Sequence, residues 1–335
     1  TAEANASVEV FIDAGSIGTT TADGSGNWIF DHTGTTLADG SYAITTAATD
    51  ASGNTSAASS SLNITVDTAA PAAPSVSAIT DDTGTASDGI TSDSQLIITG
   101  TAEANASVEV FIDAGSIGTT TADGSGNWSF DHTGTTLSDG SYAITAAATD
   151  ASGNTSATSS ALNITIDTSA PTAPAVTTIT DDTGTASDGI TSDNQLIITG
   201  TAQANASVDV FIDAGSIGTT SADGSGNWSY DHTGITLADG SYAITAVASD
   251  LSGNTSATSS ALNITVDTAE PAAPAVTAIT DDTGTASDGI TSDNQLIITG
   301  SAEANASVEL FVDAGSIGTT TADGSGNWSY DHTGT

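Results

Sequence analysis

Aspartate is the residue type in this chain best placed to do chemistry, and it falls at fixed positions. One acidic loop carries Asp81, Asp82, Asp88 and Asp93, and it recurs with Asp181, Asp182, Asp188 and Asp193 and again with Asp281, Asp282, Asp288 and Asp293. A second pattern, Asp-x-Ser-Gly-Asn, appears as Asp50–Asn54, Asp150–Asn154 and Asp250–Asn254. Asp67, Asp167 and Asp267 each stand just before a proline-containing stretch. Alternating carboxylate and amide oxygens on loops suit Ca2+, which takes about six to eight oxygen ligands in flexible geometry, better than Mg2+, which prefers an octahedron and retains water. Four aspartates in one short loop repel one another unless a cation joins them; a solvated acidic loop is the plainer alternative. The related loop Asp23–Asn27 reads instead as an Asx-stabilised hairpin turn. None of these loops matches an EF-hand, whose glycine and final glutamate are missing.

Composition sharpens this expectation. The 335 residues include 41 Asp plus Glu and 0 Lys plus Arg, a formal charge of −41. Because there is no basic side chain to pair with, the carboxylates are left with solvent cations, metal ions and backbone N–H groups. The same absence argues against nucleic acid, whose phosphates bind through Lys and Arg, and against an anionic membrane surface. Cys is 0, which excludes thiolate, zinc–cysteine and disulfide chemistry. No apolar run approaches the roughly 20 residues of a membrane span. One histidine per repeat (His32, His132, His232, His332) sits in Asp-His-Thr-Gly, with no nucleophile and oxyanion hole evident beside it, so an enzyme is not expected. With no initiator Met and no signal peptide visible, we read the chain as an internal segment.

What must position these residues is a repeat. Thr1-Ala-Glu-Ala-Asn-Ala-Ser-Val recurs at Thr101, Thr201 and Ser301, a period of 100 residues without insertion. Residues 1–100 and 101–200 differ at about a dozen positions, mostly small-for-small swaps. All 6 prolines lie in three linker segments after Asp67, Asp167 and Asp267. Proline holds such linkers extended. The expected units are therefore 70–169 and 170–269 complete, 1–69 the C-terminal part of one unit and 270–335 the N-terminal part of another.

Within a unit the hydrophobic pattern has period 2. Val108, Val110 and Ile112 alternate with Glu109, Phe111 and Asp113; Trp128 and Phe130 share a face; Leu162, Ile164 and Ile166 alternate with polar residues. Hydrophobic residues reach 37%, so this is a folded chain rather than a disordered polyanion. Seven short strands in about 100 residues predict an all-β, immunoglobulin-like sandwich. Alternating strand direction puts the acidic loop and Asp167 at the C-terminal pole, and the loops 103–105, 123–127 and 150–154 at the N-terminal pole. Tandem units then bring Asp81, Asp82, Asp88, Asp93 and Asp167 towards Asp250 and Asn254.

The segments Gly-Thr-Ala-Glu-Ala-Asn-Ala-Ser-Val, Ala-Asp-Gly-Ser-Gly-Asn-Trp-Ser-Phe and Ala-Thr-Asp-Ala-Ser-Gly-Asn-Thr-Ser, followed by Ile-Asp-Thr-Ser-Ala-Pro, resemble bacterial Ig-like tandem repeats of giant biofilm-associated and RTX-type adhesins. The resemblance runs the whole chain. It implies an extracellular, surface-held stalk of end-to-end Ig-like units, stiffened by calcium at its junctions and serving adhesion or biofilm formation. The family's aspartate before Ala-Pro falls on Asp67, Asp167 and Asp267, and its Asp-x-x-Gly-Asn loop on Asp50/Asn54, Asp150/Asn154 and Asp250/Asn254. The partners implied are calcium ions and neighbouring repeats, with other copies of the chain in a fibre as a variant. A weak multivalent carbohydrate module is the rival reading.

Overall fold

A computed structural model of the chain describes residues 1–280, 283–285 and 288–333. Among these residues every regular element is a strand. Residues 1–69 hold β1 Ser7–Ile12, β2 Gly15–Thr21, β3 Gly40–Thr49 and β4 Leu62–Val66, one sheet in the order β2-β1-β3-β4. Residues 70–169 hold β5 Ser75–Ile79, β6 Ile90–Thr91, β7 Ile97–Thr101, β8 Ser107–Ile112, β9 Gly115–Thr121, β10 Asn127–Asp131, β11 Gly140–Thr149 and β12 Leu162–Ile166. They form two layers, β10-β7-β5 against β6-β12-β11-β8-β9. The same layers recur in residues 170–269, from Ala175–Ile179 to Leu262–Val266. In residues 270–335 a three-stranded sheet and the hairpin Ser307–Val312/Gly315–Thr321 repeat the first part of the unit.

The two layers exist because the period-2 pattern gives each sheet one apolar face. Val108, Val110, Ile144, Ala146, Ile164 and Ile166 of the larger sheet meet Leu96, Ile98 and Trp128 from the side of the smaller one. Each fully buried Val or Ile contributes roughly 1.5–3 kcal/mol of transfer free energy. Trp128 lies flat against the backbone of Gly100, where an added Cβ would overlap the Ser75 carbonyl oxygen and the indole ring. Glycine at 100 is therefore a packing requirement of the tryptophan opposite. Phe111 takes the other face, in register with Thr145 of β11 and outside the core cluster.

Local chemistry sets the corners. Asp113 and Ala114, both with positive φ (49° and 65°), make the tight turn between β8 and β9, the geometry whose twist matches flanking strands. The Asp113 carboxylate accepts the Ala143 N–H at 2.9 Å, tying this turn to β11. The structure departs from the seven-strand expectation in one feature. The acidic loop ends in β6, a two-residue strand running parallel to β12 with Ile90 opposite Thr165 and Thr91 opposite Ile166. Thr165 N–H donates to the Gly89 carbonyl at 2.7 Å, and Asp167 N–H to the Thr91 carbonyl at 2.9 Å. The loop is thereby strapped to the end of the same strand that leads to the next unit.

Candidate functional site

The residues singled out from the sequence fall into three structural settings. In the first, Asp150 closes a turn. Its Oδ1 accepts the N–H groups of Ser152 (2.8 Å) and Asn154 (2.9 Å), and its Oδ2 accepts the Asn154 side-chain amide at 2.8 Å. Asp50 makes the same bonds to Ser52 and Asn54. The Asn54 and Asn154 side-chain amides, with the backbone N–H groups behind them, hold both carboxyls below the usual aspartate value of 3.8. Asp23 and Asp123 are lowered in the same direction, chiefly by the backbone N–H groups of Asn27 and Asn127. A carboxyl depressed in the folded state stabilises the fold above its unfolded pKa, and that contribution disappears as pH falls through the folded value. In about 0.15 M salt, where repulsion between distant exposed charges is screened beyond roughly 8 Å, we expect a thermal midpoint that is level from about pH 7 to 5 and drops below 3.8. A midpoint that rises in acid would show that relief of self-repulsion outweighs the loss of these turns.

The second setting is the joint between units. The Asn154 amide donates to the carbonyl of Asp67 at 3.0 Å, and Ser152 Oγ donates to Asp67 Oδ2 at 3.2 Å. At the following joint the Asn254 amide donates to the carbonyl of Asp167 at 2.7 Å while also holding Asp250 Oδ2 at 3.0 Å. One asparagine thus bridges its own turn and the end of the preceding unit. Asp167 and Asp250 line a cavity of about 260 Å³ together with Gln203 and Asn205. Two carboxylates and two side-chain amides offer the oxygen ligands that a hard divalent cation such as Ca2+ takes. Among the described residues, no three acidic or imidazole side chains already converge as a metal cage. Asp267 accepts the Ala269 N–H at 3.1 Å within its own linker.

The third setting is the acidic loop itself. Asp88 Oδ1 accepts the Ile90 N–H and Asp93 Oδ1 the Gln95 N–H, both at 2.8 Å. Asp81, at φ 61°, receives the Thr91 hydroxyl on its carbonyl. Asp188, Asp193 and Asp181 repeat these roles, and Asp288 and Asp293 cap Ile290 and Gln295 likewise. Asp281 and Asp282 lie outside the described residues. Asp82 and Asp182 differ from their neighbours. One oxygen of each accepts a loop N–H, from Gly89 and Ser187, while Oδ1 is shielded from solvent without a hydrogen-bond partner. The segment reaching the next unit is not an aspartate but Thr83–Thr85: Thr83 Oγ1 donates to the Ser252 carbonyl at 2.6 Å and Thr85 N–H to the Leu251 carbonyl at 3.3 Å. Sequence reasoning placed the right loops together but missed these residues, since contacts made by carbonyls leave no side-chain signature.

Two other cavities lie away from the joints. About 500 Å³ lies beside Val8, Trp28 and Ala48, and about 360 Å³ beside Ile298, Val308 and Trp328, both against apolar sheet faces. His132 stacks on Phe130 with ring centroids 6.2 Å apart, a packing role shared by the other three histidines.

Fold and joints together define a tandem array of two-layer Ig-like sandwiches, linked through an Asp–Asn bridge. Residues 1–68, 70–168, 170–268 and 270–335 each match the bacterial Ig-like domain, and the chain belongs to that family. It is 34% identical over 275 residues to exoglucanase B of Cellulomonas fimi, covering 78% of this chain and 23% of that protein, so it spans about a quarter of its length. Among solved structures, the tetra-tandem repeat in the extending region of a large adhesion protein is 22% identical, with 98% of this chain and 84% of that one covered and a TM-score of 0.32. A structure concerned with host cell surface retention of a 1.5-MDa bacterial ice-binding adhesin is 20% identical, covering 78% and 87% at a TM-score of 0.35.

Proposed function

We propose that this chain is a structural extender segment of a bacterial surface adhesin or extracellular filament, its Ig-like units projected away from the cell and stiffened by calcium where they join. The observation that carries the reading is the joint: Asn154 and Asn254 reach the carbonyls of Asp67 and Asp167, and at the second of these joints carboxylates and amides line a shared cavity. Membership of a bacterial Ig-like family, in four successive copies, supports a scaffold rather than a catalytic role. Charge supports the cation. With 12% acidic residues and no Lys or Arg, an array cannot neutralise itself, and successive units repel one another. A bound Ca2+ would supply positive charge and oxygen coordination shared between units. Asp167, Asp250, Gln203 and Asn205 are the residues that would hold it at the second joint, with the shielded oxygens of Asp82 and Asp182 available in the loops.

Small-angle X-ray scattering of the full chain tests this. Raising Ca2+ through about 0.1–1 mM, the range of extracellular calcium modules, is expected to lengthen the maximum dimension and narrow the ensemble. Chelator should reverse the change, and equal Mg2+ should do less. A profile indifferent to calcium would leave the acidic loops as solvated surfaces and overturn the calcium-stiffened stalk.

A further inference from the structure

The contact of Thr83–Thr85 with Leu251–Gly253 has a feature that the carboxylate chemistry does not use. Gly84 has φ 76°, and an added Cβ would overlap the Leu251 carbonyl oxygen; a Cβ on Gly253, φ 85°, would come 2.9 Å from the Gly84 nitrogen and 3.2 Å from its Cα. The two glycines therefore meet backbone to backbone across the joint. Their repeat equivalents separate conformation from contact. Gly184 has φ 80° and Gly153 φ 90°, yet a Cβ on either would meet nothing within 4 Å. Both glycines thus keep the same left-handed φ with and without a facing backbone.

We propose that the Thr83–Gly84–Thr85 face is a preformed, metal-independent docking surface whose partner is the main chain of the x-Ser-Gly-Asn loop of the succeeding repeat. Recognition runs through two carbonyls and the space left by two glycines. The first residue of the partner loop contributes only its carbonyl, which is why Leu251 serves where the other units carry Ala51 and Ala151. Any repeat with glycine at the third position of that loop can follow any repeat with glycine at position 84. Such a joint tolerates duplication and reordering of units. Calcium, in the proposal above, acts on a joint already docked.

Hydrogen exchange of the full chain in excess chelator tests the surface, because residues 81–92 and 181–192 are identical in sequence while only Gly84 of the pair has a backbone packed against it. We expect the Thr85 amide to exchange at least about tenfold more slowly than Thr185, since only Thr85 N–H is held across a joint. Gly84→Ala should erase that difference. Gly184→Ala, which imposes the same left-handed strain without a partner, should leave Thr85 protected. Gly253→Ala tests the opposite face and should also release Thr85. Equal exchange at Thr85 and Thr185 in the unaltered chain, or protection that survives Gly84→Ala, overturns the docking surface. Because the readout is made without calcium, it stands or falls separately from the scattering titration.

Discussion

Truncating Trp128 to alanine is expected to melt residues 70–169 well before residues 170–269, splitting the unfolding of two units that are otherwise near-identical. Trp128 is 3% exposed and fills the centre of the core cluster. Deleting a buried Trp costs about 3–5 kcal/mol, against a total stability of about 5–15 kcal/mol for a domain. One term works the other way. The indole N–H of Trp128 is buried without a hydrogen-bond partner, as are those of Trp228 and Trp328, and removing an unsatisfied donor returns about 1–3 kcal/mol. The cavity wins, because Gly100 offers no side chain to collapse into it. At about 4–8 °C per kcal/mol, the net loss lowers the midpoint of that unit by roughly 10 °C or more. Calorimetry of the full chain should resolve a displaced transition below that of residues 170–269, whose Trp228 is unaltered. Trp128→Phe keeps the ring and drops the unsatisfied N–H, and it should lose much less. Trp128→Ala shifting the midpoint by under about 5 °C would show that the tryptophan is not the keystone of the sandwich.

The same contrast between side-chain and backbone information explains what could be read from the chain. Strands β8 and β12 were legible because Val108 and Val110, and Ile164 and Ile166, are spaced two apart around a polar residue, and β7 because Leu96–Ile98 is a short apolar run; the paired residues Leu96 and Ile98, Val108 and Val110, and Ile164 and Ile166 are all buried. Phe111 was legible by the same rule, as the odd apolar residue on the polar face. Strand β6 was not. Two residues, Ile90 and Thr91, are too short to show a period, and they lie at the end of an acidic loop that reads as irregular. Its cause is tertiary: the edge of β12 offers main-chain groups that Gly89 and Thr91 satisfy. At the joint, pole assignment from strand direction brought Asp167 and Asn254 together correctly as neighbours. Thr83 and Thr85 escaped, because what they bind is the backbone of Leu251 and Ser252, and no residue type announces a carbonyl.

Where the charges sit follows from the same construction. Strand interiors take the β-branched and small residues, so acids are confined largely to the loops at the two poles, and tandem linkage stacks pole on pole. Glu109 is an exception on the outer face of β8, and Ser116 Oγ of the adjacent strand donates to it at 2.6 Å. The joints therefore concentrate the electrostatic cost of the array, and a substitution there should change behaviour more than one on a sheet face.

Asn254→Asp is the sharpest such change. The native amide donates to two acceptors, the Asp167 carbonyl and Asp250 Oδ2. A carboxylate has the same shape but donates to neither, and it places a second negative charge about where the amide stood 3.0 Å from Asp250 Oδ2. Like charges at about 4 Å in partly screened surroundings oppose each other by up to roughly 4 kcal/mol, on top of two lost hydrogen bonds at about 1 kcal/mol each. In chelator the variant should lose the docked joint while each unit keeps its own melting transition, visible as a shorter, broader scattering envelope. Calcium should then restore the joint, because the substitution adds a ligand of the kind Ca2+ favours. The variant is expected to show a larger calcium response than the natural chain, converting a joint held by hydrogen bonds into one that depends on the cation. Asn254→Ala separates the terms: it loses the same donors without the added charge, so it should loosen the joint less and gain no calcium response. If calcium leaves the Asn254→Asp envelope as broad as chelator does, the cavity between Asp167 and Asp250 is not where a cation binds, and the joint rests on the Asn254 hydrogen bonds.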